Sequence, residues 1–324
     1  MEPATSINAN GLGLVWDHAE GRFQERPEQT MTWSVFDIGP MHGAILVERL
    51  RTFGGKALAT QPHLQRLKHG LDTLGIRAEP LVSMLPEAID RLVESNRSVD
   101  RYQPDASIVL LVAPGQGGYA GSPSPSNLET GVTVPPMCML HLQALPWPRL
   151  HTWHAHGTPL IRAPWQSVAG RAWPAITKSR SRLNYYLSDR HAAVHGSDAL
   201  ALLSTANGSV ADTSVANIVV LCRNGELATP KESDVLQGTS LGFLAALLQH
   251  HGQRLVFRDI AFEELLSARE VWLTGNSGCL WHACSLDGQS IGTGQRGPEC
   301  EHIQRLWIDA LGFDWRDQSL RMRG

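Results

Sequence analysis

Lysine is nearly absent from this chain: Lys56, Lys68, Lys178 and Lys231 are the only four in 324 residues, and arginine carries the rest of the positive charge. No apolar run is long enough to cross a bilayer, which takes about 20 residues, and Met1–Ser6 shows neither the basic start nor the apolar core of a signal peptide. A net charge of −3 makes no electrostatic case for nucleic acid or an acidic membrane. The five cysteines (Cys138, Cys222, Cys279, Cys284, Cys300) are odd in number and have no CxxC spacing. They read as reduced thiols of a cytoplasmic protein. The fourteen histidines include no HExxH pattern, and His151, His154 and His156 sit in a Trp- and Pro-rich stretch, so no metal site is expected.

Against that background Lys178 stands out, in Thr177-Lys178-Ser179-Arg180-Ser181-Arg182-Leu183. Arginine cannot form a Schiff base. An ε-amine becomes a nucleophile when burial or nearby cations lower its pKa, and Arg180 and Arg182 are near in sequence. A surface lysine beside a basic helix start is the alternative.

The length exceeds one ordinary core, and two domains are expected, 1–147 and 148–324. In the first, Ala44–Arg51 is strand-like and Gly54-Gly55 makes a turn. Leu64, Leu67, Leu71 and Leu74 recur at helical spacing until Gly75. A helix starts near Pro86, Ile108–Ala113 is a buried strand, Gly115–Asn127 is loop, and Met137–Leu145 is another strand. The stretch Pro146–Trp165, studded with Pro, Trp and His, reads as a connector. Beyond it come a helix over Arg182–His195, strands at Ala199–Leu203 and Ala216–Leu221, and a hairpin at Asn224-Gly225. Then follow a helix over Thr239–His251, strands at Leu255–Arg258, Glu270–Leu273 and Leu280–Cys284, and a closing helix over Pro298–Leu311.

Three features downstream of Lys178 suit one kind of ligand. Asp212, in Val210-Ala211-Asp212-Thr213-Ser214-Val215-Ala216-Asn217, is a carboxylate just before an apolar strand, able to hold a pyridine nitrogen protonated. Gly238-Thr239-Ser240 opens a helix, whose unpaired N–H groups and dipole suit a phosphate. Thr274-Gly275-Asn276-Ser277-Gly278 is a polar turn with further donors. Singly, each has a plain structural alternative: a turn acid, an N-cap and a hairpin.

Taken in order with Asp37-Ile38-Gly39, His42-Gly43, Val47-Glu48-Arg49-Leu50-Arg51, His63-Leu64-Gln65-Arg66-Leu67, Pro146-Trp147, Thr229-Pro230, Leu236-Gln237-Gly238 and Asp287-Gly288, these segments resemble the class IV aminotransferases. These are the fold-type IV pyridoxal phosphate enzymes: branched-chain aminotransferases, D-amino acid transaminases and aminodeoxychorismate lyases. The resemblance implies a two-domain α+β fold, a small α+β domain followed by a larger one with a β-barrel-like core. It also implies pyridoxal 5'-phosphate as cofactor, an amino acid and a 2-oxo acid as substrates, and a homodimer completed by a small-domain loop such as Gly115–Asn127. Lys178 matches the lysine of the internal aldimine. Arg66, Thr239, Ser240, Asn276 and Ser277 match phosphate contacts, Tyr185 a ring-hydroxyl contact, and Asp212 the acid facing the pyridine nitrogen. His42, Val47, Arg49, Arg51 and Trp147 match the substrate pocket.

Two departures matter. The family's acid is usually glutamate, and Asp212 is about 1.5 Å shorter in reach. Strand alternation puts Val47, Arg49 and Arg51 on one face, and Arg49 stands where the family tends to carry a small residue. Two arginines there favour a carboxylate-bearing substrate. Alternative activities are a lyase that releases pyruvate, suggested by the lysine-to-Arg182-Leu183 spacing, and a catalytically inactive fold relative.

Overall fold

The computed structural model describes residues 11–116, 135–168, 170 and 172–322. The chain forms two compact units: residues up to Leu145 together with Lys178–Ser181, and Pro146–Thr177 together with Arg182 onward. Most of Gly115–Asn127, the loop expected to complete a partner's site, lies outside the described residues.

In the first unit, strands β1 (Leu12–Asp17) and β2 (Arg22–Pro27) form a hairpin. Helix α1 (Ile38–His42), strands β3 (Leu46–Phe53) and β4 (Lys56–Ala57), and helices α2 (Thr60–Leu74) and α3 (Leu85–Ser95) follow. Strands β5 (Ala106–Ala113) and β6 (Met137–Ala144) complete it. The sheet is antiparallel throughout, in the order β2-β1-β6-β5-β3-β4. Leu64, Leu67 and Leu71 share one face of α2 at the three- and four-residue spacing of a helix. They pack with Leu46 and Leu50 of β3, Ile89 and Leu92 of α3, and Ile108 and Leu110 of β5. The alternate residues of the same strands, Val47, Val109, Leu111 and Ala113, gather with Ile45 on the other face. That two-sided burial explains why Ile108–Ala113 of β5 is an unbroken apolar run. Gly75, at φ +65°, stops α2 in the left-handed conformation.

The second unit contains helices α4 (Trp147–His156), α5 (Leu183–Ala193), α6 (Thr239–His250), α7 (Phe262–Ser267), α8 (Pro298–Leu311) and α9 (Trp315–Arg321). Its strands are β7 (Thr158–Gln166), β8 (Leu200–Ser204), β9 (Asn217–Leu221), β10 (Leu227–Thr229), β11 (Leu255–Phe257), β12 (Glu270–Gly275), β13 (Cys279–Leu286) and β14 (Gln289–Ser290). The sheet is mixed, ordered β11-β10-β9-β12-β13-β7-β8, with β14 on β13. Its two ends are tied together. After β8 the chain doubles back, with Leu203 N–H donating to the Asp212 carbonyl (3.0 Å) and Ala211 N–H to the Leu203 carbonyl (2.9 Å). Val210 N–H then donates to the carbonyl of Ile260 (2.8 Å), just past β11, giving the barrel-like core.

The stretch Pro146–Trp165 is not a connector: it forms α4 and β7. Trp147, Leu150, Trp153 and His154 recur at helical spacing and are buried, and Pro148 sits in the first turn, where proline costs nothing. Gly157, at φ +82°, ends the helix, and β7 runs parallel to β13 and β8 within the sheet. The aromatic residues that look like a loop signature are packing: Trp153 stacks on Trp281 with centroids 5.0 Å apart.

His282 of β13 is buried, and neither ring nitrogen has a hydrogen-bond partner among the described residues. Burial, reinforced by the charges of Arg296 and His156, lowers its pKa from 6.5 to about 4. The folded chain therefore keeps the ring neutral while the unfolded chain protonates it below pH 6.5, so stability is lost as pH falls from there toward 4. Chemical denaturation at pH 7 and pH 5 is expected to show a loss of about 2 kcal/mol at the lower pH from this group. His282→Gln is expected to flatten that difference.

Candidate active site

In the first unit the site is organised by the pleat of β3. Glu48 points to the α2 side, where His63 and Arg66, three residues apart on one helix face, meet it. Arg66 Nε donates to Glu48 Oε1 (2.8 Å) and Arg66 Nη2 to Oε2 (2.6 Å), while His63 Nδ1 lies 2.8 Å from Oε2. All three are buried. Burial alone would raise the Glu48 pKa, but the charge and hydrogen bonds of Arg66, with His63, bring it down to about 2. His63 is lowered, chiefly by burial and against the pull of Glu48, so the neutral ring donates from Nδ1.

Lys178 is fastened to the same strand by its backbone. Its carbonyl accepts from Val47 N–H (3.0 Å), and Arg180 N–H donates to the Ile45 carbonyl (2.8 Å). Ser181 Oγ donates to the carbonyl of Gly43 (3.0 Å), the left-handed residue after α1, where a Cβ would press on that Oγ. The Lys178 side chain is half-buried, and its charge contributes to holding His63 down. Asp37 Oδ1 caps α1 by accepting from Gly39 N–H (2.7 Å). His42, the last residue of α1, is exposed.

Val47, Arg49 and Arg51 lie on the face opposite Glu48. Val47 packs with Val109 and Leu111. Arg49 Nη2 donates to Gln143 Oε1 of β6 (2.5 Å). The guanidinium of Arg51, 1% exposed, lies 4.9 Å from the Phe53 ring centroid. His141, in register with Arg49 across β5, is lowered by burial together with the charges of Arg180 and Arg49.

In the second unit, Asp212 is buried and its Oδ1 accepts from the Tyr185 hydroxyl (2.8 Å). Arg182, one helical turn before Tyr185, lies over that ring at 4.6 Å and donates from Nη2 to the Ser214 carbonyl (2.5 Å). Burial, then the Asp212 charge and hydrogen bond, push the Tyr185 pKa well up. Trp147, the first residue of α4, is buried in this unit.

Asn217 joins three segments. Its Nδ2 donates to the Leu236 carbonyl (2.8 Å), it pairs with Thr274 across β9 and β12, and a Cβ on Gly238 would collide with its Oδ1. Glycine at 238 therefore lets the chain pass Asn217 and enter α6 at Thr239. A Cβ on Gly275 would likewise strike the Val215 carbonyl. Around this junction stand the N–H groups that open α6, the hydroxyls of Thr239, Ser240 and Ser277, and the Nδ2 of Asn276. That Nδ2 is buried without a hydrogen-bond partner among the described residues. The set consists of neutral hydrogen-bond donors, one of them buried and outstanding, which fits a phosphate.

In the sequence Glu48 stands only as part of a motif, and Arg182 only as a cation near Lys178 and part of the Arg182-Leu183 spacing. The available clue was spacing: a lone acid at an inward strand position, and charged or aromatic pairs one helical turn apart. Among the described residues no helix is long and apolar enough to cross a membrane, and no three His, Cys, Asp or Glu side chains are grouped to hold a metal.

Residues 45–286 match the model of the amino-transferase class IV family. Over 308 residues the chain is 26% identical to branched-chain-amino-acid aminotransferase-like protein 2 of Arabidopsis thaliana, covering 94% of this chain and 51% of that protein. It thus spans about half the length of that relative. With the branched-chain-amino-acid aminotransferase of Salmonella typhimurium it shares 26% identity over 86% of this chain and 87% of that one. A T.th. branched-chain amino acid aminotransferase, in a crystal structure complexed with N-(5'-phosphopyridoxyl)-L-glutamate, has the same fold. There the TM-score is 0.78 at 21% identity, over 94% of each chain. With the Lys178 segment, the buried acid before β9 and the donor set at α6 all inside the matched region, the chain belongs to the class IV aminotransferase family.

Proposed function

We propose that the protein is a pyridoxal-phosphate-dependent aminotransferase that moves an amino group between an amino acid and a 2-oxo acid, with a preference for acidic substrates. The observation that carries this reading is the donor set around Asn217, whose buried Asn276 Nδ2 lacks a partner among the described residues. Thr239, Ser240, Asn276 and Ser277 would hold the phosphate, and the carboxylate of Asp212 would face the pyridine nitrogen; Arg66 is carried as a phosphate contact by the family resemblance alone. When bound, the cofactor supplies an aldehyde that takes the amino group and a protonated ring that draws electrons from the substrate α-carbon. Lys178 Nζ serves as the nucleophile and moves the α-proton. Glu48 keeps the Arg66 guanidinium in one orientation, which is what a forked contact to phosphate requires.

The test is borohydride reduction of protein incubated with pyridoxal phosphate, followed by peptide mapping. The peptide containing Lys178 is expected to gain the phosphopyridoxyl mass, and its absence overturns the reading.

The substrate preference rests on Arg49, Arg51 and Arg180, which concentrate positive charge around one face of β3, enough that Arg49 and Arg180 help hold the His141 pKa down. His42, Val47 and Trp147 are carried as substrate-contact residues by the family resemblance alone. Losing a charged hydrogen bond typically costs about 1.5–3 kcal/mol. Arg49→Ala is therefore expected to lower kcat/KM for acidic donors at least about 10-fold, with little change for neutral branched-chain donors. Equal loss on both classes would remove Arg49 from specificity.

A further inference from the structure

Tyr185 is the site residue whose observed partner differs from the ring-hydroxyl contact that the family resemblance implies. We infer that Tyr185 is a positioning residue that acts through Asp212, fixing the carboxylate of this shorter acid, and that it does not contact the cofactor's ring hydroxyl. This rests on the aminotransferase reading above.

The geometry is specific. A tyrosine hydroxyl carries one proton to donate, and here it goes to Asp212 Oδ1 at 2.8 Å, a normal length for such a bond. Donation to a second acceptor would break it. The backbone of Asp212 is already fixed by its pairing with Leu203, so the remaining freedom is rotation of the carboxylate, which the tyrosine removes. Tyr185 is fixed in turn: Arg182 covers its ring and is itself anchored on the Ser214 carbonyl, two residues beyond Asp212. Helix α5 and the strand-like return after β8 are thereby joined at the acid. With glutamate the carboxylate would sit one methylene further out and lose this bond. The phenol and the shorter acid thus form one unit, a device suited to aspartate at this position.

The experiment is a double-mutant cycle on the holoenzyme with Tyr185→Phe, Asp212→Asn and the pair. Two quantities are read: pyridoxal phosphate dissociation constant, and the pH midpoint of the bound cofactor's absorbance change. Phenylalanine keeps the ring under Arg182 and removes only the hydroxyl. In the Asp212 background, Tyr185→Phe is expected to weaken cofactor binding by about 10-fold and to move the pH midpoint. In the Asp212→Asn background the same change is expected to cost clearly less, because a neutral amide oxygen accepts a weaker hydrogen bond than a carboxylate. Equal losses in both backgrounds, or a Tyr185→Phe enzyme indistinguishable from the parent, would overturn the inference. Asp212→Glu serves if the asparagine variant does not fold: it keeps the charge, displaces the 2.8 Å contact and should abolish the coupling equally. A parent protein that shows no cofactor absorbance band and no label at Lys178 refutes the aminotransferase reading itself, a result distinct from either failure of the cycle.

Discussion

Alanine at position 178 is expected to lower amino transfer by about 10⁴-fold or more, because under the proposed function it removes both the nucleophile and the group that moves the α-proton. Folding should be nearly unaffected. Lys178 is fastened to β3 by its carbonyl, which alanine retains, and its side chain is only half-buried. The check is a kinetic assay beside a denaturation curve. An unchanged midpoint with lost turnover supports the chemical role, whereas retained turnover would remove Lys178 from the reaction. Arginine at 178 keeps the charge but has no amine to form an imine, so Lys178→Arg is expected to be as inactive as alanine. That pair of variants separates chemistry from charge, since only a charge effect on His63 would survive in the arginine form.

The largest expected effect on stability is at Glu48. Its carboxylate takes two hydrogen bonds from Arg66 and one from His63, with side-chain exposures of 1%, 7% and 4% in that order. Removing one partner of a buried ion pair leaves a desolvated charge and typically costs about 3–5 kcal/mol. Glu48→Ala is expected to lose that much in chemical denaturation. Glu48→Leu combined with Arg66→Met should recover most of it, since an apolar pair can replace a buried ionic one at little net cost. Recovery would show that the charge is kept for the site and not for the core; the double variant is then expected to fold yet bind pyridoxal phosphate poorly. The pH dependence has a definite sign. Because the Glu48 pKa is lowered from 4.5 to about 2, its contribution is complete above pH 4.5 and is lost as pH falls through 2. The His282 effect comes first on acidification, below pH 6.5.

Local chemistry made much of this legible beforehand. Helix α2 announces itself through four leucines at helical spacing and Gly75, and β5 through an apolar run bounded by turn residues. The opening of α6 is visible as glycine followed by two hydroxyls. Lys178 and Asp212 draw attention in the sequence because each is a chemically demanding residue at an unusual place, and their roles belong to the proposed function. The segment 146–165 misled because proline and tryptophan are read as loop formers when their partners are unknown. Trp153 takes its place in a helix by stacking on Trp281 of β13, a strand more than 100 residues later.

The sequence by itself determined the family, through the resemblance its ordered motifs carry, and many of the elements and the residue types available for chemistry, because elements such as α2 and β5 follow from periodicity and turn propensity along the chain. The tertiary structure alone decided what each of those side chains touches: Glu48 with Arg66 and His63, Tyr185 with Asp212, Asn217 with the approach to α6. Hydrogen bonds form over about 3 Å in space with no regard to sequence separation, so partners 15, 27 and 19 positions apart leave no pattern in the chain to be read.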